Sequence, residues 1–518
     1  MKSHSLVIHT LLLVTLSPGE LTSRSQETAP VLKLETAADF LALHVSGIAP
    51  PGTSELEYRL AETGAVGDTR AWTAAPARAA DDGAFRFDLP LKSSRWSEIQ
   101  VRAMKSGVQL AKKEAHSKRE VFAMLTPERI AELPEPARAA WTAYMQRSIS
   151  RRDVEFDQLA AECRSLGVAN ASTAPANRAE LENGSDTPSA WFATPKAQQI
   201  AGAIISYQTP TGGWSKAVDY SQGPRKPGTH WTAQTGEQWH YCGTFDNRTT
   251  TEQIKLLAGV FTATRIEDAR LAMMRGIDYL LEAQFPNGGW PQNYPVESGY
   301  HEAITLNDNA MLHVLEVLLL IAEKQQPFAF VDDALQQRAQ AAFDKGVDCL
   351  IKAQVKLHGR PAVWCAQHDP LTLEPVAARK KEPPSLSGAE SAELLKFFMR
   401  KAPVRPSITA IIEPAVEWFD EHRITGLRKT KNDKRKTDYV ADPESQEVYW
   451  ARFYDVATAR PLFAGSQDGV IYTSFHEMTE HNRVGYDYYT TKPAELIDKE
   501  LARWKKRLAK TASKAKSK

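Results

Sequence analysis

The sequence contains little cysteine. Four cysteines, Cys163, Cys242, Cys349 and Cys365, occur among 518 residues. So few in so long a chain exclude a disulfide framework, and their spacing matches no zinc-binding pattern. They leave room for one bridge, and the spacing does not say which two would pair.

An excess of charge of one sign is also lacking, because the formal net charge is +1 at pH 7. A chain this close to neutrality has no overall field to attract nucleic acid or a membrane surface, so we expect neither as a partner. Any charged partner would have to bind a local patch. With 42% hydrophobic and 25% charged residues, the composition is typical of a soluble globular protein with room for two domains.

Long apolar runs are scarce, and the clearest one lies near the start, from Leu6 to Leu16. It follows a lysine, is too short to span a bilayer, and ends at Pro18 and Gly19. This pattern predicts a signal peptide over residues 1–25 and a secreted protein, periplasmic or extracellular. The alternative is a buried helix, and the cleavage point is not defined.

Two regions with different sequence patterns follow along the chain. Residues 30–122 contain segments such as "GAFRFDLPL" and "EIQVRAM" that alternate apolar and polar residues between turn clusters, which predicts a small β-sandwich domain. From Thr126 the apolar residues recur three and four apart, and Pro127 follows a threonine cap. We therefore expect a mainly α domain over residues 126–505 and a disordered basic tail over residues 506–518.

The helical part contains an internal repeat. Helical segments end at Gln208, Gln284 and Gln354, which are 76 and 70 positions apart, and each is followed by a Gly-bearing turn and a tryptophan. Such units predict helical hairpins that form a solenoid or close into a ring, with the long loops on one rim. We favour an (α/α) toroid, or incomplete barrel.

Two Asp-Asn pairs recur in this repeat. Aligning them places Asp246 and Asn247 opposite Asp308 and Asn309, with the aspartates 62 positions apart. The ordinary interpretation is an N-cap, since Asp and Asn commonly cap helices. Two copies on one rim also form a cluster of oxygen donors, the ligands that calcium prefers. The two roles can coexist.

The third copy supplies cations instead, Arg379, Lys380 and Lys381 before Glu382, which suit an anionic substrate unless they are a solvated surface run. Tryptophans in the same loops, Trp214 and Trp290 among them, would suit sugar faces, or they pack in the core. The histidines show no zinc-site spacing, so no zinc is expected.

A family resemblance rests on ordered motifs. "QTPTGGWSK", "TFDNRTTTEQIKLL", "QFPNGGWPQNYP", "ITLNDNAM", "VWCAQHD", "ARKKEPPSLSGAES", "YWARFYD" and "NRVGYDYY" resemble those of polysaccharide lyase family ten, the pectate lyases, over roughly Ser189 to Tyr489. The resemblance implies an (α/α) toroid, a polygalacturonate substrate and calcium (Ca2+). It also implies β-elimination, in which the C5 proton of a uronate is removed and the C4 oxygen is expelled.

The resemblance also implies roles for individual residues. Asp246 and Asp308 match calcium-site aspartates, and Arg379 matches the arginine base, so these three are the predicted catalytic residues. An arginine base is chemically awkward because a guanidinium normally stays protonated. A lysine would be an easier base, but Lys380 and Lys381 depart from the family pattern. The predicted substrate-binding residues are Lys216, Trp214, Asn247, Trp290, Asn309, Lys380, Arg452 and Arg483.

Arg452 and Arg483 would clamp substrate carboxylates or else form structural salt bridges. The stretch "GGWSKA", from Gly212 to Ala217, departs from the family's "GGWPKN", so substrate preference is open.

The predicted function is a secreted, monomeric, calcium-dependent pectate lyase that cleaves polygalacturonate to unsaturated oligogalacturonides. Two rivals remain open. One is a glycoside hydrolase on the same toroid, with the two aspartates as acid and base. The other is a pectin-binding protein without catalysis.

Overall fold

We analysed a computed structural model of the chain. It describes residues 31–38, 42–62, 72–90, 96–116, 124–176, 187–233, 243–296, 299–379, 381–431, 437–465, 469–472, 474–481 and 487–516. The predicted signal peptide lies outside the described residues.

The N-terminal region is built from antiparallel strands. These are β1 Lys33–Ala38, β2 Ala42–Ile48, β3 Glu55–Glu62, β4 Thr73–Ala74, β5 Ala84–Pro90, β6 Trp96–Lys105 and β7 Val108–His116. One sheet has the order β1-β2-β5 and a second has the order β4-β3-β6-β7. Alternate residues of β6, namely Ile99, Val101 and Ala103, are 0% exposed and join one apolar cluster with residues of both sheets. The period-two pattern therefore fixes which strand face is buried.

Helices dominate the remainder of the chain, as predicted. They are α1 Pro127–Ala131, α2 Ala137–Leu166, α3 Pro195–Ser206, α4 Thr251–Thr264, α5 Glu267–Ala283, α6 Ala310–Ala322, α7 Asp333–Ala353, α8 Glu390–Arg400, α9 Pro406–Glu421, α10 Phe475–His481, α11 Lys492–Glu495 and α12 Leu501–Lys516. The side chain of Thr126 caps α1 by accepting the N–H of Arg129 at 3.3 Å. Within the described ranges, no helix is both long and apolar enough to span a bilayer.

Short strands link the long loops. They are β8 Gly243–Thr244, β9 Asn293–Tyr294, β10 Ile304–Thr305, β11 Lys356–Leu357, β12 Arg360–Pro361, β13 Gln367–His368, β14 Ser385–Ser387, β15 Leu427–Lys431, β16 Thr437–Ala441, β17 Trp450–Ala451, β18 Phe453–Asp455, β19 Phe463–Ala464, β20 Ile471–Tyr472 and β21 Tyr489–Thr490. The pairs β8–β9, β10–β13 and β14–β18 each join loops of different repeats. The loops that carry the predicted site residues are therefore hydrogen-bonded to one another.

The repeat has a common structural basis. In each copy the tryptophan donates its indole N–H to a carbonyl near the end of the preceding helix: Trp214 to Ile204 (2.8 Å), Trp290 to Leu280 (2.8 Å), Trp364 to Leu350 (2.7 Å) and Trp450 to Phe419 (2.7 Å). The glutamine of the first copy, Gln208, donates to the carbonyls of Gly212 (2.7 Å) and Ala272 (2.9 Å), and Gln284 and Gln354 do the same in their copies. The fourth copy, marked by Trp450, was not predicted.

The backbone corrects the alignment of the Asp-Asn pairs by one residue. The N–H of Thr244 bonds the carbonyl of Trp214, and the N–H of Thr305 bonds that of Trp290, so the copies are 61 positions apart here. Asp308 is then equivalent to Asn247, and both have a positive φ, 50° and 49°. The two aspartates therefore occupy neighbouring, non-equivalent positions of the repeat.

The predicted disordered tail is wrong for residues 506–516, because they continue the helix α12. The helix is amphipathic: Trp504 is 1% exposed and Leu508 packs against the main core, while lysines such as Lys505 and Lys506 face solvent. The lysine run is thus the solvated face of an ordered helix.

Candidate active site

Asp246 is a buried carboxylate at the start of the 3₁₀ turn Asp246–Arg248, just after β8. Its side chain is 6% exposed, its Oδ2 is bound by the ammonium of Lys216, and its backbone N–H donates to Thr244 Oγ1 at 3.1 Å. Its Oδ1 is buried and has no hydrogen-bond partner within the part of the chain that the structure describes. Since its side chain makes no capping bond, the carboxylate is not used as an N-cap.

Asp308 lies in the corresponding 3₁₀ turn, Asn307–Asn309, directly before α6. Asp308 is exposed to solvent, and its Oδ2 accepts a hydrogen bond from Asn307 Nδ2 at 2.8 Å. Desolvation by the surrounding protein raises the pKa of Asp308, and the negative charges of Asp246 and Glu390 raise it further, while Arg452 and Arg379 oppose the increase. The two predicted aspartates therefore share one electrostatic environment with both arginines.

Arg379 stands on a tight turn in which the N–H of Glu382 bonds the Arg379 carbonyl at 2.7 Å. The guanidinium and Glu382 form a two-pronged ion pair, Nε to Oε2 at 2.7 Å and Nη2 to Oε1 at 2.5 Å, and the Arg379 backbone N–H adds a third bond at 3.1 Å. The Arg379 side chain is 45% exposed and that of Glu382 only 4%. The Glu382 carboxylate is thus buried, while the Arg379 guanidinium that binds it reaches solvent.

The pairing of β14 with β18, in which Ser387 lies opposite Phe453, brings Arg452 next to Glu390. Its Nη2 lies 3.3 Å from Glu390 Oε1, and Glu390 also binds the hydroxyl of Ser387. Arg452 therefore makes the structural salt bridge that was its alternative role, while it still acts electrostatically on Asp308.

Two acidic residues of this site, Glu382 and Glu390, were missed from the sequence. The spacing of Glu382 three residues after Arg379 was the available signal, because such a carboxylate can fold back onto the cation within one turn. Glu390 carried no such signal, since its partner Arg452 is 62 positions away.

The prediction that Trp214 and Trp290 bind substrate is wrong, because both side chains are 0% exposed and their N–H groups bond helix carbonyls. They pack in the core beneath the loops. Lys380 and Arg483 lie outside the described residues. Asn247 is exposed and Asn309 partly so, next to the two aspartates, and their predicted contact with substrate stays a prediction.

The linker after the strands reaches the loop that carries the second aspartate. Glu302 is 3% exposed, and its Oε2 accepts the backbone N–H groups of Met124 (2.7 Å) and Leu125 (3.0 Å). Burial raises the pKa of Glu302 to about 8, against the opposing effect of these two bonds. Arg129, a few residues on, donates to Asp369 Oδ2 at 2.9 Å. The linker and helix α1 are therefore each bonded to one of these loops.

The fit of a metal ion can be judged from the same carboxylates. No group of three or more His, Cys, Asp or Glu side chains is arranged to hold a metal in the described ranges. Asp246 nevertheless has a buried oxygen that is bonded by none of the described residues, and Asp246 and Asp308 repel each other, so a cation beside them would be stabilised. Calcium takes six to eight oxygen ligands. The residues therefore fit calcium only with further ligands from substrate and water.

Comparisons with known proteins show the family of the chain. A sequence model of the family described as pectic acid lyase matches residues 208–497, more than half of the chain. Two structures of a family 10 polysaccharide lyase from Cellvibrio cellulosa are 31% identical to this chain with a TM-score of 0.52. They cover 60% of it, with 95% and 94% of their own lengths aligned, and one is a mutant in complex with trigalacturonic acid. A search of curated proteins found no match. The chain belongs to the pectic acid lyase family and is, as its motifs predict, a polysaccharide lyase.

Proposed function

We propose that this protein is a calcium-dependent pectate lyase that cleaves polygalacturonate by β-elimination and leaves an unsaturated sugar at the new end. One observation carries the proposal: Asp246, Arg379 and Arg452 all act electrostatically on Asp308, and all four residues lie within the region matched by the family. The trigalacturonic acid bound by the Cellvibrio relative supports the same substrate class.

The charges match the demands of the reaction. The C5 proton of a uronate becomes acidic only when the negative charge that develops on the neighbouring carboxylate is stabilised. Arg379, held by Glu382 with its outer part towards solvent, can donate hydrogen bonds to that carboxylate. Arg452 adds a second fixed cation. Because both arginines are already paired with buried carboxylates, they need little reorganisation when the charge develops.

Asp246 and Asp308 would hold the calcium ion, and Lys216 keeps Asp246 in position through its ion pair. Bound calcium would supply further positive charge next to the substrate carboxylate. The raised pKa of Asp308 means that this residue loses its negative charge earlier than an ordinary aspartate as the pH falls. As the pH falls, we therefore expect calcium binding to weaken at a higher pH than it would with an ordinary aspartate in this position.

The finer architecture is part of the proposal. The repeated helical hairpins, with tryptophan and glutamine bonds in the same places, favour an (α/α) toroid over residues 126–505. The two N-terminal sheets with a common apolar cluster favour a β-sandwich domain over residues 30–122. Secretion through a signal peptide at residues 1–25 and a monomeric state remain proposals from the sequence.

The test is ultraviolet absorbance of the unsaturated product from polygalacturonate, with calcium and then with a chelator. We expect product from the wild type with calcium, a loss on chelation, and a kcat reduced about 100-fold or more in Asp308→Asn and Arg379→Gln. Arg151→Gln is the matched control, because Arg151 is 44% exposed and forms a similar two-pronged pair with Glu282 away from the site. Saturated reducing ends would indicate hydrolysis instead, and binding without cleavage would indicate a silent protein.

A further inference from the structure

The outer face of the N-terminal sheet β4-β3-β6-β7 carries cations on three adjacent strands. Every second residue of Ile99–Ala103 in β6 packs in the apolar cluster between the sheets, so Gln100 and Arg102 lie on the outer face. Arg59 of β3 is paired with Gln100, and Lys112 of β7 is paired with Arg102. Paired residues of antiparallel strands lie on the same face, so all three cations point away from the core.

A tryptophan lies among these cations. Trp72 immediately precedes β4, at the edge of the same sheet, and it is half-buried. The guanidinium carbon of Arg59 lies 4.9 Å from the centroid of the indole ring, and that of Arg102 lies 4.3 Å from it. At these distances the ring attracts both cations. Trp72 and the two arginines therefore form one cluster on the outer face.

Neighbouring polar side chains hold the cations in place. Gln100 Oε1 accepts a hydrogen bond from Arg59 Nε at 2.8 Å and another from Lys112 Nζ at 3.3 Å. Because Gln100 is neutral, it positions both cations without cancelling their charge. Glu57 pairs with Arg102, whose side chain is still 23% exposed, and Lys112 is exposed. The cations are thus oriented by their neighbours and remain accessible to a ligand.

The arrangement has a cost that an anionic ligand would remove. Arg102 and Lys112 are directly opposite each other in the β6–β7 register, and like charges in that position destabilise a sheet. Adjacent strands lie about 4.8 Å apart, so the three cations form a row across the sheet. Such a row fits a chain that carries a carboxylate on every unit, because guanidinium groups bind carboxylates with forked hydrogen bonds. The indole adds a flat apolar surface for a sugar ring.

We propose that this outer face binds a polygalacturonate chain outside the active site and keeps the enzyme on polymeric substrate. The ligand-binding residues are Trp72, Arg59, Arg102 and Lys112. All four lie outside residues 208–497, the region that the family model matches. The choice of ligand rests on the proposed function, since a uronate polymer combines the carboxylates and the sugar faces that this cluster fits.

The first experiment measures binding by electrophoresis in gels that contain polygalacturonate. All proteins carry Asp308→Asn and run with a chelator, so that the polymer is not cut and the predicted calcium site contributes little. We expect Trp72→Ala, and separately Arg59→Gln combined with Arg102→Gln, to weaken retention about tenfold. Arg86→Gln is the matched control, because Arg86 is an exposed arginine on β5 of the other sheet, and it should bind as before.

The two sets of variants test the cluster independently if one of them fails to fold. Unchanged retention in the folded variants, or an equal loss in Arg86→Gln, would overturn the proposal. Gels with dextran sulfate test the alternative that the face attracts any polyanion by charge alone. Retention there that is as strong as in polygalacturonate, and equally sensitive to Trp72→Ala, would also overturn it.

The second experiment compares substrates of different length with calcium present. The cluster variants should raise KM on polygalacturonate about fivefold or more while kcat changes less than about twofold, and both constants on trigalacturonate should stay at wild-type values. Equal changes on both substrates would show that the substitutions act through the active site, and the proposal would be wrong. A wild type that forms no unsaturated product refutes the proposed function instead, and the gel experiment still decides whether this face binds the polymer.

Discussion

The contribution of the ion pair between Lys216 and Asp246 to stability can be worked out from the burial of its two partners. The Lys216 side chain is 21% exposed and that of Asp246 is 6% exposed, so the carboxylate is the more deeply buried partner. Replacing either residue alone leaves the other charge without its partner. Lys216→Met and Asp246→Asn change the charge while nearly preserving side-chain volume.

The cost of each replacement follows from the burial of the charge that remains. Breaking a fully buried pair costs about 3–5 kcal/mol, and an exposed pair about 0–1 kcal/mol. Lys216→Met leaves the buried carboxylate, so we expect a loss of about 2–3 kcal/mol in the free energy of unfolding. Asp246→Asn leaves the lysine, which still reaches water, so we expect about 1 kcal/mol. The double variant should cost less than the two losses added, by about 1–2 kcal/mol.

The assay is urea unfolding of the wild type, both single variants and the double variant in the presence of a chelator, so that no metal stabilises the folded state. Far-ultraviolet circular dichroism follows the helical part. Calcium with a galacturonate oligomer should then reduce the coupling, because Asp246 would gain a second cationic partner. Single losses that simply add within about 0.5 kcal/mol, or a larger loss in Asp246→Asn than in Lys216→Met, would refute the reasoning.

Two further predictions concern stability. Because the pKa of Glu302 is about 8 in the folded state and its ordinary value is 4.5, its neutral form contributes stability that is complete below about pH 4.5 and is lost as the pH rises through 8. Glu302→Gln should therefore gain stability relative to the wild type between pH 5 and about pH 9 in urea titrations, and parallel curves would contradict this. At Gly288, with φ at +99°, an added Cβ would lie 2.1 Å from the Lys345 carbonyl, whereas at Gly359, with φ at +81°, nothing lies within 4 Å. Gly359→Ala should cost about 1 kcal/mol and Gly288→Ala at least about 2 kcal/mol more, measured by thermal unfolding, and equal costs would show that the close approach is relieved cheaply.

The repeat was predictable because its signal is local. A helix end, a glutamine and a tryptophan recur at similar spacing, and the structure shows that Gln208 and Trp214 bond nearby carbonyls as their counterparts do. The fourth copy was not predicted because the helix before it ends at Glu421 and is followed by His422 instead of a glutamine, although the indole N–H of Trp450 makes the same kind of bond to Phe419. Spacing therefore reveals a repeat only while the turn residues are retained.

The charged residues of the site were predictable in kind but not in pairing. Asp246, Asp308 and Arg379 were predicted to lie together, and both Asp246 and Arg379 act electrostatically on Asp308. Their partners Lys216 and Glu382 could not be assigned with certainty, because the direction of a side chain depends on loop geometry that sequence patterns do not define.

The aromatic residues show a second limit of the sequence. A tryptophan in a loop gives the same sequence pattern whether its ring contacts a sugar or packs in the core. The 0% exposure of Trp214 and Trp290 became visible only with the helices in place around them.

The bonds of Glu302 to Met124 and Leu125, and of Arg129 to Asp369, make the linker a part of the scaffold under the catalytic loops. The family match begins at residue 208 and so does not include Met124, Leu125 and Arg129, which make these bonds. A protein trimmed to the matched region would leave Glu302 without the two donors that it accepts from the linker. A truncated enzyme that keeps these two bonds must therefore begin before Met124, upstream of the start of the family match.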